Sequence, residues 1–156
     1  MPAAPKPKPR IYLAAPLFAL HERQWNRQLA ERLEAMLRCS VLLPQDFEPA
    51  EPDEAARHRA LFRLCIDGID QCDAVLAILD GPDADSGTAF EMGYAYAIGK
   101  PLVAIRTDYR PQHDQGSNLM LTRACSAFLH LVEPTADVDG VAAAITRKLT
   151  AVLEKR

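Results

Sequence analysis

The amino-acid sequence predicts a single-domain α/β fold, in which one parallel sheet of five strands is flanked by helices. Short apolar runs of strand length alternate with longer segments whose apolar residues recur every three or four positions. Prolines and glycines punctuate the boundaries between these segments. A chain of 156 residues is also long enough to bury the core of one such domain without metals or crosslinks.

The strands are predicted from five apolar runs. Residues 1–10 hold four prolines and three basic residues, which is typical of a disordered tail, so the domain is expected to cover residues 11–156. Strands are predicted at 11–14, 41–43, 74–79, 102–105 and 127–132. Proline follows the first two runs closely, and proline cannot continue a central ladder of hydrogen bonds.

The helices are predicted from apolar residues at helical spacing between the strands. The first is marked by Trp25, Leu29, Leu33, Met36 and Leu37; the second by Leu61, Leu64, Cys65, Gly68 and Ile69; and the last, over 138–153, by Val141, Ile145, Leu149 and Leu153. The third helix carries Glu91 and is closed by Gly99, with Pro101 shortly after it. Residues 45–53 and 107–118 are polar loops. This alternation predicts right-handed crossovers and a doubly wound, flavodoxin- or Rossmann-like topology.

Composition excludes several classes of function. The net charge is −3 and there is no basic cluster beyond the N-terminal tail, so neither nucleic acid nor a membrane is an expected partner. The four cysteines show neither the close pairs of a zinc site nor the density of a disulfide scaffold, and we expect them to be reduced. No apolar run reaches 18 residues, and no apolar signal core is present, so the cytoplasm is the expected location.

The third predicted helix contains one carboxylate, Glu91, and no other residue within 86–98 that ionises near neutral pH. Thr88 and Ala95 share its helical face, so we expect Glu91 to lie among small and apolar neighbours. A structural role is an alternative, because Thr88 and Glu91 have the spacing of a capping box. Acidic and small residues nevertheless crowd the preceding strand end, where open α/β sheets bind ligands.

Three separated motifs carry a resemblance to a known family. In chain order they are IYLAAP at 11–16, DSGTAFEMGYAYAIGKP at 85–101 and SNLM at 117–120. Together they resemble the nucleoside 2-deoxyribosyltransferases over residues 11–120, about two thirds of the chain. The resemblance implies that Glu91 attacks the anomeric carbon of a deoxynucleoside, releases the base and holds the sugar covalently until a second base arrives, with net retention.

The resemblance also assigns roles to residues around Glu91. It implies that Tyr12 holds the nucleophile by a hydrogen bond, while Asp80 either assists protonation of the base or shapes its loop. It places Asp85 on the sugar hydroxyls and Gln45 on the nucleobase. The substrate-binding residues it implies are Phe18, Gln45, Asp85, Ser86, Gly87, Met92, Asn118 and Met120. From the residues alone, a helix cap is the favoured role for Asp85 or Ser86, and Phe18 is as readily a core aromatic.

One position departs from the family pattern. Relatives usually carry an Asp in the helix before the third strand, eight residues ahead of Asp73, where it takes part in proton handling. Here that position is Cys65, and Asp67 and Asp70 lie nearby. The helix would have to turn for Asp67 to substitute, so the identity of the general acid stays open.

The resemblance implies small-molecule partners and an oligomer. The implied substrates are 2′-deoxynucleosides and free nucleobases, and the implied reaction needs no metal or organic cofactor. Asn118 is implied to complete the site of a neighbouring subunit, which requires a homo-oligomer, a dimer or higher. The alternatives are an N-glycoside hydrolase of nucleosides or deoxynucleoside 5′-monophosphates and a non-catalytic nucleotide-binding module. The apolar segment 14–18 favours free nucleosides over monophosphates.

Overall fold

Strands and helices alternate along the chain. The computed structural model describes residues 7–108, 118–131 and 137–155. The strands are β1 (Arg10–Ala14), β2 (Ser40–Leu42), β3 (Ala74–Ile78), β4 (Leu102–Arg106) and β5 (Ala127–His130). The helices are α1 (Leu20–Leu37), α2 (Glu54–Gln71), α3 (Ser86–Ala97), α4 (Leu119–Ala124) and α5 (Val138–Leu153), and a 3₁₀ turn covers Pro44–Asp46.

The five strands form one parallel sheet in the order β2-β1-β3-β4-β5. This order confirms the predicted doubly wound α/β fold and is the flavodoxin-like one. From β1 the chain first adds β2 on one side and then β3 on the other, so the strand order switches between β1 and β3. In such a fold the crevice beyond the carboxyl ends of these two strands is the usual ligand position. The carboxyl ends of all five strands lie at that same edge.

Helices cover both faces of the sheet and bury β3 and β4 completely, whereas β2 and β5 at its margins are partly buried. Along β1, Ile11 and Leu13 belong to one core with α1 and α5, while Tyr12 and Ala14 belong to a second core with α2, α3 and α4. This follows from the alternation of side chains along a strand. Every residue of β3 and β4 is buried, which explains why these strands are continuous apolar runs instead of alternating patterns. Glu91 therefore lies on the face that Tyr12 occupies.

Each strand differs from the sequence expectation by one or two residues at an end, and one helix was not expected. Strand β1 begins at Arg10, and the Pro9 carbonyl accepts a hydrogen bond from the Ser40 amide, so the ordered sheet reaches into the predicted tail, whose residues 1–6 lie outside the described residues. Helix α4 was not predicted, because Asn118 was assigned to a polar loop, whereas its side chain caps this helix. Most of that loop, residues 109–117, is outside the described residues, as is the predicted end of β5 at residue 132.

The described part of the chain also bears on membranes, metals and cysteines. None of its helices is long and apolar enough to cross a membrane. Nor do its His, Cys, Asp and Glu side chains form a group of three or more that could hold a metal ion. The four cysteines are free, with Cys39 and Cys72 buried and Cys65 and Cys125 partly buried.

Candidate active site

Tyr12 and Glu91, which are 79 residues apart in sequence, form a direct hydrogen bond. The Tyr12 hydroxyl donates to Glu91 Oε1 over 2.6 Å. Tyr12 is held in the middle of β1 and is fully buried, while Glu91 projects from the second turn of α3 and is partly buried. The two residues that the sequence assigned to nucleophile and hydrogen-bond donor are thus brought together.

Burial and hydrogen bonding act on the Glu91 carboxyl in opposite directions. The pKa of this carboxyl is raised from 4.5 to about 7 in all, and burial is the largest cause. The Tyr12 hydrogen bond lowers this pKa, whereas the negative charge of Asp85 raises it. The pKa of the Tyr12 hydroxyl is raised far above its ordinary value, first by burial and then by the neighbouring Glu91 charge, so Tyr12 stays a donor. The carboxylate is available near neutral pH because of this donor.

The capping-box alternative for Glu91 is wrong. Asp85 is the N-cap of α3, and its Oδ2 accepts hydrogen bonds from the Thr88 amide and the Thr88 hydroxyl. Thr88 is therefore already inside the helix, and Glu91 is too far along it to reach the orphan amides of the first turn. The alternative reading of Asp85 as a helix cap is confirmed. Both cap bonds go to Oδ2, which leaves Oδ1 for a further donor.

Asp80 lies at the same sheet edge but on the α1 side. Its carboxylate accepts hydrogen bonds from the Thr107 amide (2.6 Å), the Thr107 hydroxyl (2.6 Å) and the Asp108 amide (3.2 Å). These bonds tie the loop after β3 to the end of β4. No described contact joins Asp80 to Tyr12 or Glu91, so between the two sequence alternatives the geometry favours loop shaping.

A cavity of about 280 Å³ opens on this α1 side. It lies beyond the ends of β1, β3 and β4 and is bordered by Pro16, His21, Glu22, Trp25, Asn26, Ile78, Asp80, Gly81 and Thr107. Neither Tyr12 nor Glu91 lines it. The Tyr12–Glu91 pair and this cavity therefore lie on opposite faces of the sheet.

The other expected binding residues are spread around the edge. Gln45 is tied to α1, since its Nε2 donates to the Arg23 carbonyl and its Oε1 accepts from Asn26, which leaves one donor hydrogen and one lone pair of the amide. Asn118 caps α4 by accepting from the Met120 amide.

Exposure separates these expected residues further. Phe18 and Met120 are 75% and 77% exposed, so Phe18 is not a core aromatic. Ser86 and Gly87 are exposed at the start of α3. Met92 is fully buried in the core beneath it, with no surface of its own at the site.

Cys65, the departure from the family pattern, does lie at the site. Burial raises the pKa of its thiol, which keeps it neutral. Of the smaller influences, Tyr12 lowers this pKa and the charge of Glu91 raises it, so Cys65 lies near both residues. Asp67 is exposed, and Asp70 accepts a hydrogen bond from Tyr94, so neither takes the position beside Tyr12.

Sequence reasoning missed a buried cation next to the site. Arg106, 1% exposed at the end of β4, donates to the Gly81 carbonyl (2.7 Å) and forms an ion pair with Asp108 (2.6 Å). The Gly81 amide in turn donates to Asp108 Oδ2, and Gly81 adopts a φ of +111° that favours glycine. The sequence signal that could have revealed Arg106 is its position directly after the apolar run of β4. The cluster holds the first turn of the loop that leads to α3.

Comparison with solved structures agrees with this fold. A conserved protein from Enterococcus faecalis V583 superposes with a TM-score of 0.72 at 24% identity, over 91% of this chain and 99% of that one. A 2-deoxyribosyltransferase from Bacillus psychrosaccharolyticus superposes with a TM-score of 0.65 at 24% identity, over 85% of this chain and 90% of that one. The Clostridium botulinum CMP N-glycosidase superposes with a TM-score of 0.53 at 19% identity, over 90% of this chain and 98% of that one.

Sequence comparison supplies the family. An uncharacterized protein from Schizosaccharomyces pombe is 48% identical over 46 residues, which are 27% of this chain and only 22% of that relative's length. The family model described as nucleoside 2-deoxyribosyltransferase matches residues 11–120. That match spans β1 to the start of α4 and includes both partners of the Tyr12–Glu91 hydrogen bond. By this match, which covers most of its length, the chain belongs to the nucleoside 2-deoxyribosyltransferase family.

Proposed function

We propose that this chain transfers 2-deoxyribose between nucleobases through a covalent glycosyl ester on Glu91. The single observation that carries the proposal is the 2.6 Å hydrogen bond from Tyr12 to Glu91, in a chain whose family match includes both residues. A partly buried carboxylate held by one donor on Oε1 keeps Oε2 free for attack on a sugar carbon. Such an arrangement suits nucleophilic catalysis better than helix capping.

Two displacements at C1′ make up the proposed reaction. Glu91 Oε2 forms a bond to C1′ while the N-glycosidic bond breaks, and the departing base takes the bonding electron pair and then a proton. A nitrogen of the incoming base next attacks C1′, expels the Glu91 carboxylate and loses its own proton, which balances the proton taken up by the first base. Each step inverts the carbon, so the product retains the starting configuration, as in retaining glycosidases. The Tyr12 hydrogen bond stabilises the carboxylate both before attack and on release.

Several polar groups at the edge are suited to hold the nucleoside. Asp85 Oδ1 takes neither of the two cap bonds and would accept from sugar hydroxyls. The remaining donor and acceptor of the Gln45 amide suit the edge of a base, and Phe18 offers an exposed ring for stacking. Ser86 and Gly87 line the start of α3 beside Asp85.

Apolar exposure supports the proposed homo-oligomer. Phe62, Phe90, Leu119 and Met120 are each more than half exposed, and they lie on the three helices that cover the Glu91 face of the sheet. The rings of Phe62 and Phe90 contact each other with centroids 6.0 Å apart. Asn118 begins α4 on this face, and its side-chain amide nitrogen would reach a neighbouring copy's sugar. The cytoplasmic location stays a prediction.

Base exchange tests the proposal. Deoxyinosine incubated with adenine should give deoxyadenosine and hypoxanthine, and Glu91→Ala should abolish this exchange while the far-UV circular dichroism spectrum is kept. Glu31→Ala, on the exposed surface of α1, serves as the matched control. Free hypoxanthine and deoxyribose without deoxyadenosine would favour the hydrolase. Saturable binding without any cleavage would favour the nucleotide-binding module, and either outcome would refute transfer.

A further inference from the structure

Gly68 lies in the middle of α2 and faces the Tyr12 ring. A Cβ built on Gly68 would lie 2.9 Å from Tyr12 Cε2 and 3.0 Å from Tyr12 Cδ2, with Phe47 Cζ at 3.6 Å. Real Cβ atoms do not approach carbon atoms that closely, so any side chain at this position displaces the ring. A glycine inside a helix costs about 1 kcal/mol relative to alanine. Helix α2 therefore has its unfavourable glycine at the residue that packs against the Tyr12 ring.

Cys65 precedes Gly68 by three residues and therefore lies on the same face of α2. Besides burial, Tyr12 lowers the pKa of its thiol and the charge of Glu91 raises it, so Cys65 lies near this pair. The hydroxyl proton of Tyr12 is donated to Glu91, so the contact through which α2 acts on Tyr12 is the one between Gly68 and the ring.

We propose that Gly68 is a positioning residue that places the Tyr12 hydroxyl on Glu91. The absence of a side chain at Gly68 sets how deeply the ring lies under α2. The effect on turnover rests on the proposed function, whereas the effect on the Glu91 carboxyl does not.

The proposal predicts a change in the titration of Glu91. The groups that face this carboxyl are Tyr12 from β1, Cys65 from α2 and Asp85 from the N-cap of α3. Among them, only the Tyr12 hydrogen bond lowers the Glu91 pKa, against burial and the charge of Asp85. Displacing the hydroxyl removes this one opposing influence, so the carboxyl should take up its proton at a higher pH.

The principal experiment compares Gly68→Ala with Gly93→Ala by ¹³C NMR titration of the Glu91 side-chain carboxyl in the free protein. Gly93 is inside α3, and a Cβ there would meet nothing within 4 Å, so its variant gains helix propensity without a clash. Gly68→Ala should raise the midpoint by about one pH unit, the worth of one hydrogen bond to a charged group. Gly93→Ala should leave it unchanged. A wild-type midpoint in Gly68→Ala would overturn the role of Gly68.

A second background keeps the proposal testable if Gly68→Ala does not fold. Tyr12→Leu removes the ring that a Cβ on Gly68 would meet, so Gly68→Ala should fold in the Tyr12→Leu background. Adding Gly68→Ala to Tyr12→Phe should produce no further shift of the Glu91 midpoint, because the hydroxyl is already absent. The proposal would be contradicted by a double variant with Tyr12→Leu that stays unfolded while Tyr12→Leu alone folds, or by a further shift in the double variant with Tyr12→Phe.

Exchange kinetics separate the two proposals. If the wild type exchanges bases, Gly68→Ala should lower kcat about tenfold at neutral pH, with little change in KM. If the wild type shows no exchange but the Glu91 midpoint moves as expected, the positioning role stands and the proposed function fails. Normal exchange with an unmoved midpoint in Gly68→Ala refutes the positioning role alone.

Discussion

Replacing Glu91 by Gln should stabilise the protein at alkaline pH. The pKa of the Glu91 carboxyl is raised from 4.5 to about 7, with burial as the largest cause, so the folded state holds this proton more tightly than the unfolded chain does. The contribution to stability is therefore complete below pH 4.5 and is lost as the pH rises through 7. One pKa unit corresponds to about 1.4 kcal/mol, so the ionised carboxyl costs the folded state about 3 kcal/mol by pH 9. Gln is neutral throughout and avoids this cost.

Urea denaturation of the wild type and Glu91→Gln at intervals from pH 4 to pH 9 measures this difference. The free energy of unfolding of the variant, relative to the wild type, should rise by about 3 kcal/mol between the two limits, with most of the change between pH 5 and pH 8. Glu31→Gln, an exposed carboxylate on α1, controls for general charge effects. Parallel stability curves for the wild type and Glu91→Gln would refute the reasoning, because they would show that Glu91 titrates like an exposed carboxyl.

Three further substitutions test the neighbours of Glu91. Tyr12→Phe removes a hydrogen bond to a charged group, so the pH midpoint of kcat/KM for base exchange should rise above 7 and the rate at pH 7 should fall about tenfold; an unchanged pH profile would contradict the role of Tyr12. Asp80→Ala frees three donors at the end of β4 and should cost about 2 kcal/mol in urea unfolding, and a neutral effect would refute its loop-bracing role. Asp85→Ala removes the N-cap of α3 and should lower the free energy of unfolding by about 1 kcal/mol in the same assay; an unchanged value would contradict the capping role.

The fold was predictable because its apolar patterns are unambiguous. β3 and β4 are buried on both faces, so their sequences are continuous apolar runs that a loop or an exposed helix would not carry. Most of the predicted apolar stripe of α1 packs into the core with the sheet, but Met36 is 43% exposed and does not. Helix α4 escaped prediction because it has only six residues, less than two turns, and its cap residue Asn118 is also a common turn residue.

The site was predictable only in part, because it depends on contacts between distant segments. The isolation of Glu91 in an apolar helix marked it as unusual, but the Tyr12 hydroxyl that reaches it could be assigned only through the family resemblance. Arg106 was missed, since a charged residue at a strand end is usually solvated. Gly68 was used only as one position of an apolar stripe, although a glycine inside a helix is itself a sign of close packing.

Covalent labelling tests the central claim most directly. The wild type is incubated with a 2-fluoro-2-deoxynucleoside, whose fluorine slows release of the sugar, and the protein is then digested and analysed by mass spectrometry. The account predicts one fluorodeoxyribosyl group on the peptide that contains Glu91, and its loss when an acceptor base is added. Base exchange that proceeds without any such adduct, or an adduct on another carboxylate, would contradict it.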